Sequence, residues 1–275
     1  MFAGAIRRLG SVQVNVARLV MAAALLLVTI LAAGLSMRLS SAQVAYLGIS
    51  GCIGLVFGDT FLFKSFHVNG ARVSMLIMSL APAISAILAY IALGELLSVL
   101  GILGIVVTTI GIAVVVLANQ QSASAPRKLT QRGLIYGFFG ALGQGAGLVC
   151  ARLAFNEGEI NGFVATFVRI AASLVVLLPM AIATKRFQNP VAAFSNDKRA
   201  LMLTIGGAIF GPYLGITFSL IAITYTKVGI AATLMATVPI LMLPLVRIIY
   251  KERLTWHAVL GACVAVAGVA ILFMK

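Results

Sequence analysis

The chain has 275 residues, 62% of them hydrophobic and only 9% charged, where a soluble domain carries about 25% charged. The apolar residues fall in blocks near the roughly 20 residues needed to cross a bilayer core, which excludes a soluble globular enzyme and marks a multi-span membrane protein. The net charge of +14 does not signal nucleic-acid binding, because the basic residues are dispersed in short loops, with no basic helix face and no aromatic RNA motif.

Nine spans are predicted, over about 16–35, 44–66, 72–93, 98–118, 133–155, 162–184, 201–225, 230–249 and 255–274. The first follows Arg7 and Arg8 and is longer than the apolar region of a signal peptide, so it reads as a retained helix with Arg18 near its start. The second carries Gly54, Gly58, Asp59, Thr60 and Phe63, the third has Pro82 near its middle, and the fourth has Gly104 and Gly111. Asn119-Gln-Gln-Ser-Ala-Ser-Ala-Pro126 is polar and turn-forming, a natural linker. In the fifth span Gln144 sits among Gly140, Gly143, Gly145 and Gly147, and Arg169 lies seven residues inside the sixth. A solvated loop over 185–200 leads to the seventh, with Tyr213, Thr217 and Tyr225. Pro239 falls near the middle of the eighth, and Gly261 and Gly268 in the ninth.

The pattern repeats. Pro82, Glu95, Gly104 and Gly111 recur as Pro239, Glu252, Gly261 and Gly268, each offset by 157 residues. At the same offset Gly54, Gly58, Thr60 and Phe61 fall on Gly211, Gly215, Thr217 and Phe218, and after a six-residue shift Arg18 falls on Arg169. The expected organisation is a first repeat over 1–118, a linker over 119–132 and a second repeat over 133–275. The second repeat has one more span in front, 133–155, whose partner would begin before Met1. The expectation is therefore an all-α polytopic bundle of two five-helix repeats, ten helices with nine visible and the first missing, through an upstream start or a lost helix. An odd number of spans per unit inverts one copy relative to the other. Loop charges alternate, which places residue 1 inside and Lys275 outside.

Ser79-Leu-Ala-Pro82, Leu93-Gly-Glu95, Gly104 and Gly111, repeated as Thr237-Val-Pro239, Tyr250-Lys-Glu252-Arg253-Leu254, Gly261 and Gly268, resemble EamA-type members of the drug/metabolite transporter superfamily. Gly58-Asp59-Thr60-Phe61-Leu62-Phe63-Lys64 resembles a branch with Gly-Asp at this point. The resemblance implies ten helices in two inverted repeats, and export or exchange of small metabolites across the bacterial inner membrane.

Asp59 is the sharpest candidate for chemistry. A mid-span carboxylate is costly and faces protein or a water-filled cavity, where it can carry a proton; the alternative is a structural pair with Arg18 or Arg169. Its counterpart in the second copy is Ile216. Arg18 either snorkels from a helix end or acts with Arg169, which reads as an anchor for a substrate carboxylate or phosphate, or as a partner for Asp59. Gln144 is either a cavity contact or interhelical glue, and Thr60, Phe63, Tyr213, Thr217 and Tyr225 are candidate cavity-lining groups. Pro82 and Pro239 are helix kinks. Glu95 and Glu252, at span ends, read as helix caps.

The three cysteines, Cys52, Cys150 and Cys263, lack metal spacing, and there is no phosphate-binding glycine loop and no mid-span His. No cofactor, metal or enzymatic activity is expected. The function expected is secondary transport of small polar metabolites, amino acids or related compounds, by alternating access, with proton coupling through Asp59. The partners are the bilayer, a small-molecule solute and a proton, in a monomer or homodimer. The competing function is an accessory or flippase-like membrane subunit.

Overall fold

In a computed structural model of the chain, the described residues are 2–118, 130–183, 194, 197–237, 240 and 256–273. Apolar segments in lipid must satisfy their own backbone hydrogen bonds, and all regular structure among these residues is helical. The helices are α1 (Phe2–Leu9), α2 (Ser11–Ala32), α3 (Ser41–Gly51), α4 (Asp59–Met78), α5 (Ala81–Leu93), α6 (Val99–Ala118), α7 (Gln131–Asn156), α8 (Gly162–Ala183), α9 (Lys198–Ala208), α10 (Leu214–Tyr225), α11 (Val228–Ala236) and α12 (Trp256–Phe273). Eight helical stretches among the described residues are long and apolar enough to cross a bilayer, and each matches an expected span. Most of the expected span 230–249, with Pro239, lies outside the described residues, as do Glu252 and most of the 119–132 linker. The protein is a polytopic all-α membrane protein.

Two joints are π-helical. Cys52–Gly58 links α3 to α4, and Ile209–Tyr213 links α9 to α10. They begin at repeat-equivalent positions, since 52 + 157 = 209. A π segment opens the backbone ladder locally and often marks a functional site. Pro212, inside the second, has no amide hydrogen to donate. A third irregularity is Gly70, whose φ of 80° breaks α4 where an L side chain is strained.

The chain packs as two compact units, each assembled from both sides of the linker: residues 1–63 with 146–225, and residues 64–145 with 226–275. In the first, α2 packs along α8, and α3 and its π segment also pack on α8. Val16, Leu19, Ala22 and Leu26 of α2 meet Leu55, Val56, Ile170 and Leu177 in the main apolar core. The unit is closed at one end by Asp197, whose side chain caps α9 at Ala200 N (2.9 Å) and pairs with Arg8 of α1 at 2.7 Å. The hydrogen bond from Arg8 and the capping amide hold the Asp197 carboxyl below the usual carboxylate range.

In the second unit the duplicated glycines form one crossing between α6 and α12. A Cβ built on Gly111 would strike Ala265, and one on Gly268 would strike Thr108; 108 + 157 = 265, so the two collisions are one contact seen from each repeat. The outer glycines behave alike: Gly104 faces Leu272 and the Gly268 carbonyl, and Gly261 faces Val115 and the Gly111 carbonyl. Small residues let helix backbones approach in a membrane, where no hydrophobic force drives them together.

The Leu-Gly-Glu motif also has a mechanical reading in this unit. Gly94 ends α5 in the left-handed conformation, with φ 65°. That turn aims Glu95 at α11, where its carboxylate accepts from Val228 N at 2.9 Å. Glu95 thus caps a helix distant in sequence, not the next one along the chain. Lys227 Nζ returns the contact by donating to the Leu96 carbonyl. Pro82 sits in the first turn of α5, after a two-residue turn at Ser79 and Leu80. Ser79 Oγ and Thr237 Oγ1 each donate to the carbonyl three residues earlier, at 2.6 Å, ending α4 and α11 alike.

Gly111→Ala and Gly268→Ala are each expected to lower stability by about 1–3 kcal/mol through overpacking. Gly48→Ala, whose Cβ would rest 3.7 Å from Ala172, is expected to be tolerated. Thermal denaturation of the detergent-solubilised variants, followed by size exclusion, checks this ranking. The Arg8 pair gives a pH signature of definite sign. Because the folded Asp197 carboxyl titrates below its unfolded value of 3.8, its stabilisation is complete above that value and is lost as pH falls through the lower, folded one. Asp197→Asn should therefore be less stable than the parent at neutral pH and converge with it in acid, measured by thermal midpoint against pH.

Candidate functional site

The site grows from two polar interruptions in apolar helices of the first unit. α2 starts at Ser11, earlier than the expected 16, which puts Arg18 two turns inside the helix. Arg18 is only 7% exposed, so it does not snorkel to an interface. Its Nε donates to Asn15 Oδ1 at 2.9 Å, three residues back on the same helix. Its guanidinium lies 4.8 Å from the Phe63 ring centroid, within cation–π range. Its Nη2 forms a direct ion pair with Asp59 Oδ2.

Asp59 is the first residue of α4, immediately after the π segment, and is 4% exposed. The sequence leaves open which arginine partners it, and the ion pair is with Arg18. Arg169 also belongs to the arrangement. It lies on α8, is 2% exposed, and feels the charge of Asp59. Its Nε has no hydrogen-bond partner among the described residues. The guanidinium is seated by glycines: a Cβ on Gly54 would collide with its Nη2, and one on Gly147 would lie 3.0 Å from it. Ser50 Oγ donates to the Gly147 carbonyl at 2.5 Å, fixing α7 against α3.

Thus Arg18, Asp59 and Arg169, the fully buried charged side chains among the described residues, gather in one unit. Arg18 pairs with the carboxylate directly, and Arg169, at the repeat-equivalent position, feels its charge. The repeat counterpart of that carboxylate, Ile216, packs against the apolar core instead.

The remaining candidates divide. Phe63 is buried over Arg18, and Thr60 is half-buried beside Asp59 in sequence. The Tyr213 hydroxyl is 2.8 Å from Thr29 Oγ1, and its ring is 6.3 Å from that of Phe163. Thr217 is fully buried and its hydroxyl donates to the Tyr213 carbonyl, one turn back in the π segment, at 2.5 Å. Tyr225 is 86% exposed at the end of α10. Gln144 is half-buried on α7 in the other compact unit.

Tyr225 borders a feature absent from the sequence reading. A cup of about 910 Å³ opens at the end of the first unit, bordered by Arg38, Arg152, Glu159, Phe155, Phe163 and Tyr225. Arg152 is held in place by donating to the Ile223 carbonyl. The cup is invisible in sequence because it forms where three separate connections meet. Asn15 was legible in principle, as an amide one turn before Arg18 in an apolar run.

The model of the EamA-like transporter family matches residues 1–117 and 131–274. A WAT1-related protein of Arabidopsis thaliana is 30% identical over 128 residues, 44% of this chain and 34% of that protein. An uncharacterized transporter of Clostridium kluyveri is 23% identical over 143 residues, 52% of this chain and 45% of that one. The matches therefore span less than half the length of either relative. A solved structure titled only as a crystal structure of a protein shares the fold, with a TM-score of 0.73 and 19% identity, covering 98% of this chain and 91% of that one.

The charge of Asp59 reaches both arginines, with a measurable consequence. Asp59→Leu leaves two buried guanidiniums without a counter-charge and is expected to cost roughly 3–5 kcal/mol. Arg18→Met leaves Arg169 able to compensate Asp59 and should cost clearly less. Denaturation of the two purified variants checks the order, and equal losses would mean that Arg169 does not share the carboxylate.

Proposed function

The chain belongs to the EamA-like transporter family, and from that premise we propose that it is a secondary transporter moving small polar metabolites, amino acids or related compounds, by alternating access. The observation that carries the reading is the buried Arg18–Asp59 pair with Arg169 beside it. Ionisable groups at depth in a membrane protein are expensive and mark solute or ion pathways. A purely structural role would be served as well by apolar residues of similar volume.

In this reading Asp59 couples transport to protons. Protonation removes the carboxylate that holds Arg18, and deprotonation restores the pair. The π segment Cys52–Gly58, ending directly before Asp59, gives the backbone there room to adjust as the pair opens. The two repeats, 1–118 and 133–275, are inverted copies, which supplies two related conformations open to opposite sides. The membrane is the bacterial inner membrane, the direction is export or exchange, and the transporter acts as a monomer or homodimer.

The test is flux in proteoliposomes, without nucleotide, under an imposed pH gradient. The protein should accumulate solute against its gradient. Asp59→Asn should lose gradient-driven accumulation yet keep solute counterflow, because exchange needs no net proton movement. Unchanged pH-dependent flux in Asp59→Asn would sink proton coupling, and absence of counterflow for any metabolite would favour the accessory-subunit function.

A further inference from the structure

We propose that Arg169 is the seat for an anionic group of the solute, so that the transported class is carboxylate-bearing small molecules. This rests on the transporter reading and adds the substrate's chemistry to it.

The first argument is charge balance. Among the described residues the fully buried charges are Arg18, Arg169 and Asp59, two positive and one negative. Arginine does not deprotonate at working pH, so the ionised cluster keeps one positive charge in excess. In a medium of low dielectric an unbalanced guanidinium is costly, and an anion relieves it.

The second argument is the broken repeat. Arg18 and Asp59, both from the first repeat, pair directly. Arg169 is the second-repeat counterpart of Arg18, and the counterpart of Asp59 is Ile216, which is packed in the apolar core. Arg169 therefore lacks the repeat-equivalent carboxylate that Arg18 has. Its Nε, buried and without an acceptor among the described residues, is the donor left over. A guanidinium presents its donors as a planar fork that fits a carboxylate two bonds at a time. With Nε unused, that fork has an edge to offer. Gly54 and Gly147 keep the head group in place without crowding it with side chains of their own.

A cup in the same unit, whose lining does not include Arg169, has matching chemistry. It carries Arg38 and Arg152 against Glu159, an excess of positive charge that favours anions there. α8 runs from Gly162, in the cup wall, to Arg169, seven residues on, or about 10 Å along the helix. Phe155, Phe163 and Tyr225 in the same wall suit the organic part of such a solute.

The experiment uses the full chain, first as wild type and then as Arg169→Gln. Pyruvate, glutamate and phenylacetate are the carboxylate probes, with choline as the cationic control and inorganic phosphate and chloride as inorganic controls. Each is tested for thermal stabilisation in detergent and for counterflow in proteoliposomes. At least one carboxylate should stabilise the wild type and exchange, with chloride and phosphate ineffective. Arg169→Gln leaves the neutral Arg18–Asp59 pair intact and should fold, but should weaken carboxylate affinity on the order of a hundredfold. Arg169→Lys, which keeps the charge without the fork, should recover little of it.

The proposal is overturned if no carboxylate stabilises or exchanges, if choline is carried equally well, or if Arg169→Gln leaves affinity unchanged. Stabilisation by chloride or phosphate alone would make the seat an inorganic-ion site and overturn it too. Should Arg169→Gln fail to fold, the wild-type panel decides the solute class and Arg169→Lys decides the seat: unchanged carboxylate affinity in Arg169→Lys then overturns the proposal. Arg169-dependent carboxylate binding without any flux would uphold the seat while removing the transporter reading, and flux confined to non-anionic solutes would do the reverse.

Discussion

A carboxylate and two guanidiniums share the interior of one helical unit, where lipid offers them no solvation. The groups around them answer to this constraint. Asn15 and Phe63 hold the Arg18 head group from two sides while it pairs with Asp59. Gly54 of the π segment and Gly147 of α7 come close enough to enclose the head group of Arg169. The π segment ahead of Asp59 sets the direction from which the carboxylate enters. A buried pair of this kind is weak evidence for stability, since desolvation offsets much of the attraction. Its presence in a membrane helix is better explained by work that needs charge.

Two other features among the described residues recur at the 157-residue offset. The α6–α12 crossing satisfies the repeat contact for contact, with Gly111 on Ala265 and Gly268 on Thr108. The two π joints start at equivalent positions. Against that regularity the charge cluster stands out as asymmetric: both copies retain the arginine, and one retains the acid. Symmetric parts answer to packing, which both halves share. The asymmetric part is where the proposed ligand chemistry falls. Proton coupling at Asp59 and an anion at Arg169 fit this division, because each uses the charge that the broken repeat leaves available.

Much of the frame was legible in the residues. Long apolar blocks lead to the spans, and the 157-residue offset to the recurring glycines. Asp59, Arg18 and Arg169 stood out because an ionisable group in an apolar run has few explanations. Other parts were not legible. Arg18 reads as an interfacial residue only if its helix starts at 16, and the polar Ser11, Gln13 and Asn15 that begin α2 hid five residues of it. The backbone bond of Thr217 is one such part: a serine or threonine in a helix can spend its hydrogen on the preceding turn, as Thr217 does on Tyr213. Glu95 was readable as a cap but its helix was not, since α11 lies 133 residues away in the chain. The cup and the π joints arise from tertiary packing and leave no periodicity to read.

The account turns on Asp59 being an ionised partner of Arg18 in the resting protein. Infrared difference spectroscopy of the reconstituted protein against Asp59→Asn, at neutral pH, reads this state directly. The account predicts the loss of an ionised carboxylate band in the variant, with Arg18→Met shifting that band by changing its partner. A protonated carboxyl band assigned to Asp59 at neutral pH would contradict it, because a neutral acid leaves neither a pair to break nor a shared charge for Arg169 to exceed.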